Sequence, residues 1–121
     1  MLKKLSFKKI TFFGSTEIKI WIKDDEVHYS KDYIGQGVEK TNDVVSLIKK
    51  DTFIKKLSAI NIPLWKKKYE PEGFLVMDGE SWTVKLESED GKTIKCSGEN
   101  DYPTDWKSFL KVLKDIVGDF D

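Results

Sequence analysis

The stretch Glu17-Ile-Lys-Ile-Trp-Ile-Lys-Asp-Asp-Glu-Val-His-Tyr-Ser-Lys-Asp-Tyr33 decides the fold. Ile18, Ile20 and Ile22 alternate with Glu17, Lys19, Trp21 and Lys23, the period-2 pattern of a strand with one buried face. After the turn signal Asp24-Asp25, Val27, Tyr29, Lys31 and Tyr33 alternate with Glu26, His28, Ser30 and Asp32. Residues 17–23 and 26–33 are therefore predicted to form a hairpin. Its outer face carries His28 and Trp21.

Upstream, residues 5–13 read as a strand with Phe7, Thr11 and Phe13 on one face and Gly14-Ser15 as the turn. Downstream, the glycine-bearing connector 34–37 leads into a lysine-rich helical region. Val44, Leu47 and Ile48 share one helical face, whereas Phe53, Leu57 and Ile60 fall on the opposite one. One straight helix cannot bury both sets. Two short helices are predicted, 42–50 with Thr41, Asn42 or Asp43 as cap and 52–60 capped by Asp51. Pro63 closes this region, and residues 64–80 read as irregular.

A second hairpin follows. Trp82, Val84 and Leu86 alternate with polar residues, Asp90-Gly91 is the turn, and Ile94 and Cys96 continue the inward face. The clearest helical signal is the last, with Trp106, Phe109, Leu110, Leu113, Ile116, Val117 and Phe120 on one face after a cap at Thr104 or Asp105. The expected class is α+β, a mainly antiparallel sheet of about five strands in the order βββ-α(α)-ββ-α, with helices on one face. Length sets a single domain as the expectation for residues 1–121.

Composition bounds the chemistry. The 121 residues contain 21 acidic and 21 basic residues, so net charge supplies no pull toward nucleic acid or anionic membrane. Every basic residue is lysine, so the bidentate fork of arginine is missing. Both facts count against nucleic acid as a partner, including at the Trp65-Lys66-Lys67-Lys68-Tyr69 stretch, where aromatics flank lysines. No run approaches the ~20 apolar residues of a membrane span. The N-terminal residues lack the apolar core of a signal peptide, so a cytoplasmic location is the expectation.

Reactive side chains are few. One cysteine, Cys96, and one histidine, His28, rule out an internal disulfide and are too few for a structural zinc site. The strand phases put these two side chains on opposite faces, which opposes a Cys–His nucleophile pair. The acidic turn at Asp24-Asp25 lacks the calcium-loop pattern, and Gly35 and Gly37 lack the rest of a phosphate loop. No catalytic, metal or cofactor residue is assigned, and the reading leans away from catalysis.

One constellation remains. Asp78-Gly79-Glu80-Ser81-Trp82 and Ser97-Gly98-Glu99-Asn100-Asp101-Tyr102-Pro103 lie at one end of the second hairpin, where Trp65, Trp82, Tyr102 and Trp106 can converge. The competing readings are a structural corner and a binding surface of Trp65, Tyr69, Asp78, Trp82, Glu99, Asn100, Asp101, Tyr102 and Trp106. The spacing Trp-Lys-x-x-Tyr, Asp-Gly-x-x-Trp, Ser-Gly-x-Asn-x-Tyr-Pro-x-x-Trp/Phe resembles that of an uncharacterised family of small bacterial proteins. Here it is carried by Trp65, Lys66, Tyr69, Asp78, Gly79, Trp82, Ser97, Gly98, Asn100, Tyr102, Pro103 and Trp106. The resemblance implies a bacterial, cytoplasmic, single-domain protein and no substrate.

Three functional expectations follow. The first is a non-enzymatic interaction domain with a protein partner, such as an immunity protein that covers a toxin's active site. The second is a small-molecule binder or hydrolase using Asp78, Glu80, Glu99 and Asp101, for which two carboxylates must differ in acidity. The third is a homo-oligomer assembled through outward-facing aromatics such as Trp21.

Overall fold

The computed structural model describes residues 2–34, 41–70 and 79–120. Within them the chain runs β1 (Leu2–Thr11), β2 (Gly14–Lys23), β3 (Glu26–Ile34), β4 (Thr41–Val45), α1 (Lys50–Ser58), a 3-10 turn (Ile62–Leu64), β5 (Lys68–Tyr69), β6 (Ser81–Ser88), β7 (Thr93–Glu99) and α2 (Trp106–Val117). The strands form one sheet in the order β4-β3-β2-β1-β6-β7-β5, antiparallel except where β5 joins β7. The class is α+β with a mostly antiparallel sheet, but the described residues hold seven strands rather than five.

The predicted hairpin closes through Asp24 (φ 52°) and Asp25 (φ 62°). Two successive positive φ values give the turn a twist that matches its strands, and aspartate tolerates that region better than most residues. Register then fixes the faces. Leu5 pairs with Ile20 and Leu86, and Phe7 with Ile18 and Val84. These side chains, with Val27, Trp82 and Cys96, form the inner face and meet Phe53, Leu57, Phe109, Leu113 and Phe120 in one core. Phe7 sits at its centre, with ring centroids 5.9 Å from Trp106, 6.0 Å from Phe109 and 5.9 Å from Phe120.

Three local predictions are corrected. Residues 42–50 do not form a helix: Thr41–Val45 is an edge strand, with Tyr29 opposite Val44 and His28 opposite Val45. The open edge of β3 offers unpaired amides and carbonyls, and the β-branched pair Val44-Val45 suits that pairing better than a helix. The register shifts between Tyr29 and Lys31, where Asp43 takes φ 43° and its carboxylate meets His28 Nδ1 at 2.7 Å. The two apolar sets that no single helix could bury belong to a strand with its following loop and to α1 with Ile60 just beyond its end. Leu47, counted with the first set, is 99% exposed.

Asp51 does not cap α1. It lies in the first turn, and Lys49 is the cap, without a side-chain hydrogen bond. Phe13 does not face inward either. The first turn falls at Phe12-Phe13 rather than Gly14-Ser15, leaving the two rings 79% and 72% exposed. Thr11 Oγ1 accepts from the Phe13 amide (3.2 Å) and donates to the Gly14 carbonyl (3.2 Å), which stabilises the turn two positions early. The connector at 35–37 and Pro71, Gly73 and Asp78 lie outside the described residues.

The second hairpin closes by a loop anchored by Ser88, whose amide donates to the Lys92 carbonyl, with Gly91 at φ 86°. Helix α2 ends at Gly118 (φ 78°), and beyond it the Asp119 carbonyl accepts from Lys31 Nζ and the Tyr33 hydroxyl, bringing Phe120 under the sheet. No helix among the described residues is long and apolar enough to cross a membrane.

Burial raises the Cys96 thiol above its ordinary pKa. Labelling by a thiol reagent at pH 8 should therefore proceed only as fast as the core opens. Phe7→Ala, expected to cost about 3–5 kcal/mol, should speed it steeply. Rapid labelling of the folded wild-type chain would mean that Cys96 does not face the core.

Candidate functional site

At the end of the sheet where β6 begins and β7 stops, the aromatic residues of the sequence pattern converge. Trp82 points inward and is 1% exposed. Its ring centroid lies 4.4 Å from Trp106, 5.8 Å from Tyr69, 6.0 Å from Trp65 and 6.4 Å from Tyr102. Trp65 also packs edge-on against Phe109 at 5.3 Å.

The polar members hold this cluster in place. Trp82 Nε1 donates to the Asp101 carbonyl at 2.9 Å. The partner position across the ladder is Gly98, where a Cβ would overlap the Trp82 indole nitrogen and stand 2.7 Å from that same carbonyl oxygen. Asn100 occupies the left-handed region (φ 51°), and its Oδ1 accepts from the Glu80 amide while its own amide donates to the Glu80 carbonyl, both at 2.9 Å. A Cβ on Gly79 would overlap the Asn100 side chain. Asp105 is the N-cap residue of α2, as expected, but its carboxylate makes no cap hydrogen bond and accepts from Trp65 Nε1 (2.8 Å) and from the Asn61 amide (3.1 Å). It thereby ties the 3-10 turn to the start of α2.

The carboxylates named for hydrolysis do not share one task. Glu80 accepts from the Tyr102 hydroxyl at 3.2 Å, and Asp101 accepts from the Tyr102 amide at 3.0 Å. Glu99 lies opposite Ser81 on the outer face of the sheet, and Asp78 lies outside the described residues. Burial, reinforced by Glu80 and Asp101, pushes the Tyr102 phenol up to about 12. His28 stands on the outer face, its side chain 12% exposed and stacked on Trp21 at 6.0 Å, while Cys96 is buried on the inner one. The sheet separates them.

Two clefts flank this framework. One of about 540 Å³ is lined by Trp65, Lys66, Tyr69, Tyr102, Asp101 and Asp105 among others. Another of about 560 Å³, more apolar, lies between α1 with the 3-10 turn and the far end of the second hairpin, where Leu2, Leu86 and Ile94 are only half-buried. The sequence reading missed the second because Leu2 and Ile54 lie at the margins of their periodic patterns. It also missed Asp105 as a clamp, since the same residue type before a helix reads as a cap.

Compared with protein-family models, with curated proteins and with solved structures, the chain matches none.

Two measurements check this framework. Gly98→Ala should cost about 3 kcal/mol or more by overpacking against Trp82, whereas Gly91→Ala, with open space around its Cβ, should cost less despite its positive φ. Because the folded chain holds the Tyr102 proton above the ordinary phenol value of about 10, the unfolded chain loses it first as pH rises. The stability from this group is complete below pH 10 and is lost between about pH 10 and 12. Tyr102→Phe should remove that part of the alkaline decline in denaturant titrations; an unchanged slope would show that the phenol is not protected.

Proposed function

We propose that the chain is a non-enzymatic binding domain that engages a protein partner at the Phe12-Phe13 end of its sheet. The supporting observation is that turn. Two phenylalanine rings pack edge-to-face at 5.4 Å and remain largely in solvent. Exposed Ile10 and Ile34 join them, since Ile10 and Ile34 both lie opposite Ser15 on the outer face. Four large apolar side chains at one corner carry a hydration cost that covering by a partner would remove. The aromatic cluster around Trp82 gives this corner a rigid base, because β1 joins β6 there through Lys9 opposite Trp82. A small protein that covers another protein's working surface, immunity-protein-like, is one form such a role takes.

A small-molecule binder is the second reading, supported by the cleft beside Trp65, Tyr69 and Tyr102, with its mix of aromatic and charged lining. A fragment screen read by the ring signals of Tyr69 and Tyr102 would separate the two. Hydrolysis draws less support, because Glu80 and Asp101 are both engaged in fixing Tyr102.

Phe12→Ser/Phe13→Ser should leave thermal unfolding within about 1 kcal/mol of wild type, as exposed substitutions do. It should abolish near-stoichiometric recovery of a partner from source cells by the tagged chain. Identical recovery by both forms, or no partner with either across growth conditions, would count against the proposal.

A further inference from the structure

The outer face of the sheet bears no helix among the described residues, and ladder register arranges its side chains in rungs. One rung runs Lys95, Lys85, Ser6, Lys19 and Ser30 across β7, β6, β1, β2 and β3. The next runs Ser97, Thr83, Lys8, Glu17 and Asp32, and the one beyond it Glu99, Ser81, Ile10, Ser15 and Ile34. At the centre is a shallow hollow of about 340 Å³ floored by Ser6 and Thr83 and walled by Lys8, Lys19, Lys85 and Lys95, with Glu17 the one acid. Lys19 is answered by Glu17 at 3.2 Å and Lys85 by Glu87 at 3.7 Å. Lys8 and Lys95 have no ion-pair partner among the described residues.

Lys85 stands directly opposite Lys95, a cross-strand arrangement that repels. Neither side chain contributes to the core, so the fold does not need the pair. An anion seated between them would reverse the sign of the interaction. At about 4.8 Å per strand, Lys95 and Lys19 are roughly 14 Å apart, a span that suits several carboxylates of one surface better than a single small ion.

We infer that this hollow docks an acidic patch of a protein partner, one whose carboxylates meet Lys8, Lys19, Lys85 and Lys95 while its apolar rim covers Ile10, Ile34 and the Phe12-Phe13 turn. The inference rests on the interaction reading above and specifies the partner's chemistry. Charge complementarity selects an acidic occupant. The adjoining isoleucines favour a protein over a nucleic-acid strand, as do Glu17, Asp32, Glu87 and Glu99, which stand on the same face and would repel a continuous phosphate backbone.

The test uses a twelve-residue peptide with six glutamates and two phenylalanines, and a twelve-nucleotide oligothymidylate, each titrated into the isotopically labelled chain at low salt. The expected result is that the peptide shifts the amides of Ser6, Lys19, Thr83 and Lys95 and binds at least tenfold more weakly at 0.5 M salt. Lys85→Glu/Lys95→Glu should reduce affinity at least tenfold, and Phe12→Ser/Phe13→Ser only a few-fold. Peptide binding that leaves those amides unmoved, or no peptide binding at all, would overturn the inference. Tighter binding of the oligonucleotide would overturn it in favour of nucleic acid. If the lysine reversal abolishes peptide binding while the phenylalanine variant still recovers the cellular partner, the lysine site stands and the apolar corner fails; the converse pattern fails the lysine site alone.

Discussion

A buried tryptophan needs a partner for its one polar atom, and the Trp82 indole N–H finds it in the backbone carbonyl of Asp101. That hydrogen bond requires the chain after β7 to turn back over β6, and the residues around it are those that permit the turn. Gly98 leaves room for the indole, Asn100 takes the left-handed backbone, and the Asn100 side chain satisfies the Glu80 amide. With the loop so placed, Trp106 starts α2 in contact with Trp82, and α2 can lay Phe109, Leu113 and Ile116 over the inner face. Asp105 then fixes Trp65 and the 3-10 turn against the same cluster. Most of the pattern's residues are thereby committed to each other, which favours a structural corner over a pocket for Trp82 and Asn100.

The sequence made the strands and α2 legible because each has one periodic face and a strong punctuation mark. Ile18, Ile20 and Ile22 could only be a half-buried strand, and Asp24-Asp25 only a turn. β4 was illegible for a definite reason. It is only five residues long, its pairing partners lie ten or more positions away, and Val44, Leu47 and Ile48 imitate a helical face by coincidence of a strand residue with two loop residues. Nothing local distinguishes that from a helix; the open edge of β3 decides it. β5 has only two residues and is set by its parallel contact with Ser97 and Gly98, which no local pattern encodes.

The candidate site divides along the same line. Convergence of Trp65, Trp82, Tyr102 and Trp106 could be read from the hairpin phase and from the start of α2, whereas Tyr69 reaches Trp82 through the two-residue β5. The lysine hollow could not, because Lys8, Lys19, Lys85 and Lys95 come from four strands and adjoin only when β1 lies between β2 and β6. Strand order is a long-range property, and that adjacency joins the N-terminal meander to the second hairpin. The total charge of zero concealed the same feature, since a sum over the chain carries no information on which lysines adjoin in space.

The two faces of the sheet therefore obey different constraints. On the inner face each side chain is held by several neighbours, and the described residues leave no buried side-chain polar atom without a hydrogen-bond partner. A change there acts on stability first. On the outer face a like-charged pair at Lys85 and Lys95 and bare rings at Phe12 and Phe13 contribute little to folding and oppose it slightly. Residues that the core does not require are the ones that the proposed external contact would engage. In this chain the lysine pair lies on one rung of the outer face and the rings in the turn beyond the end of that face, so a single partner surface, apolar at its edge and acidic at its centre, would relieve both at once.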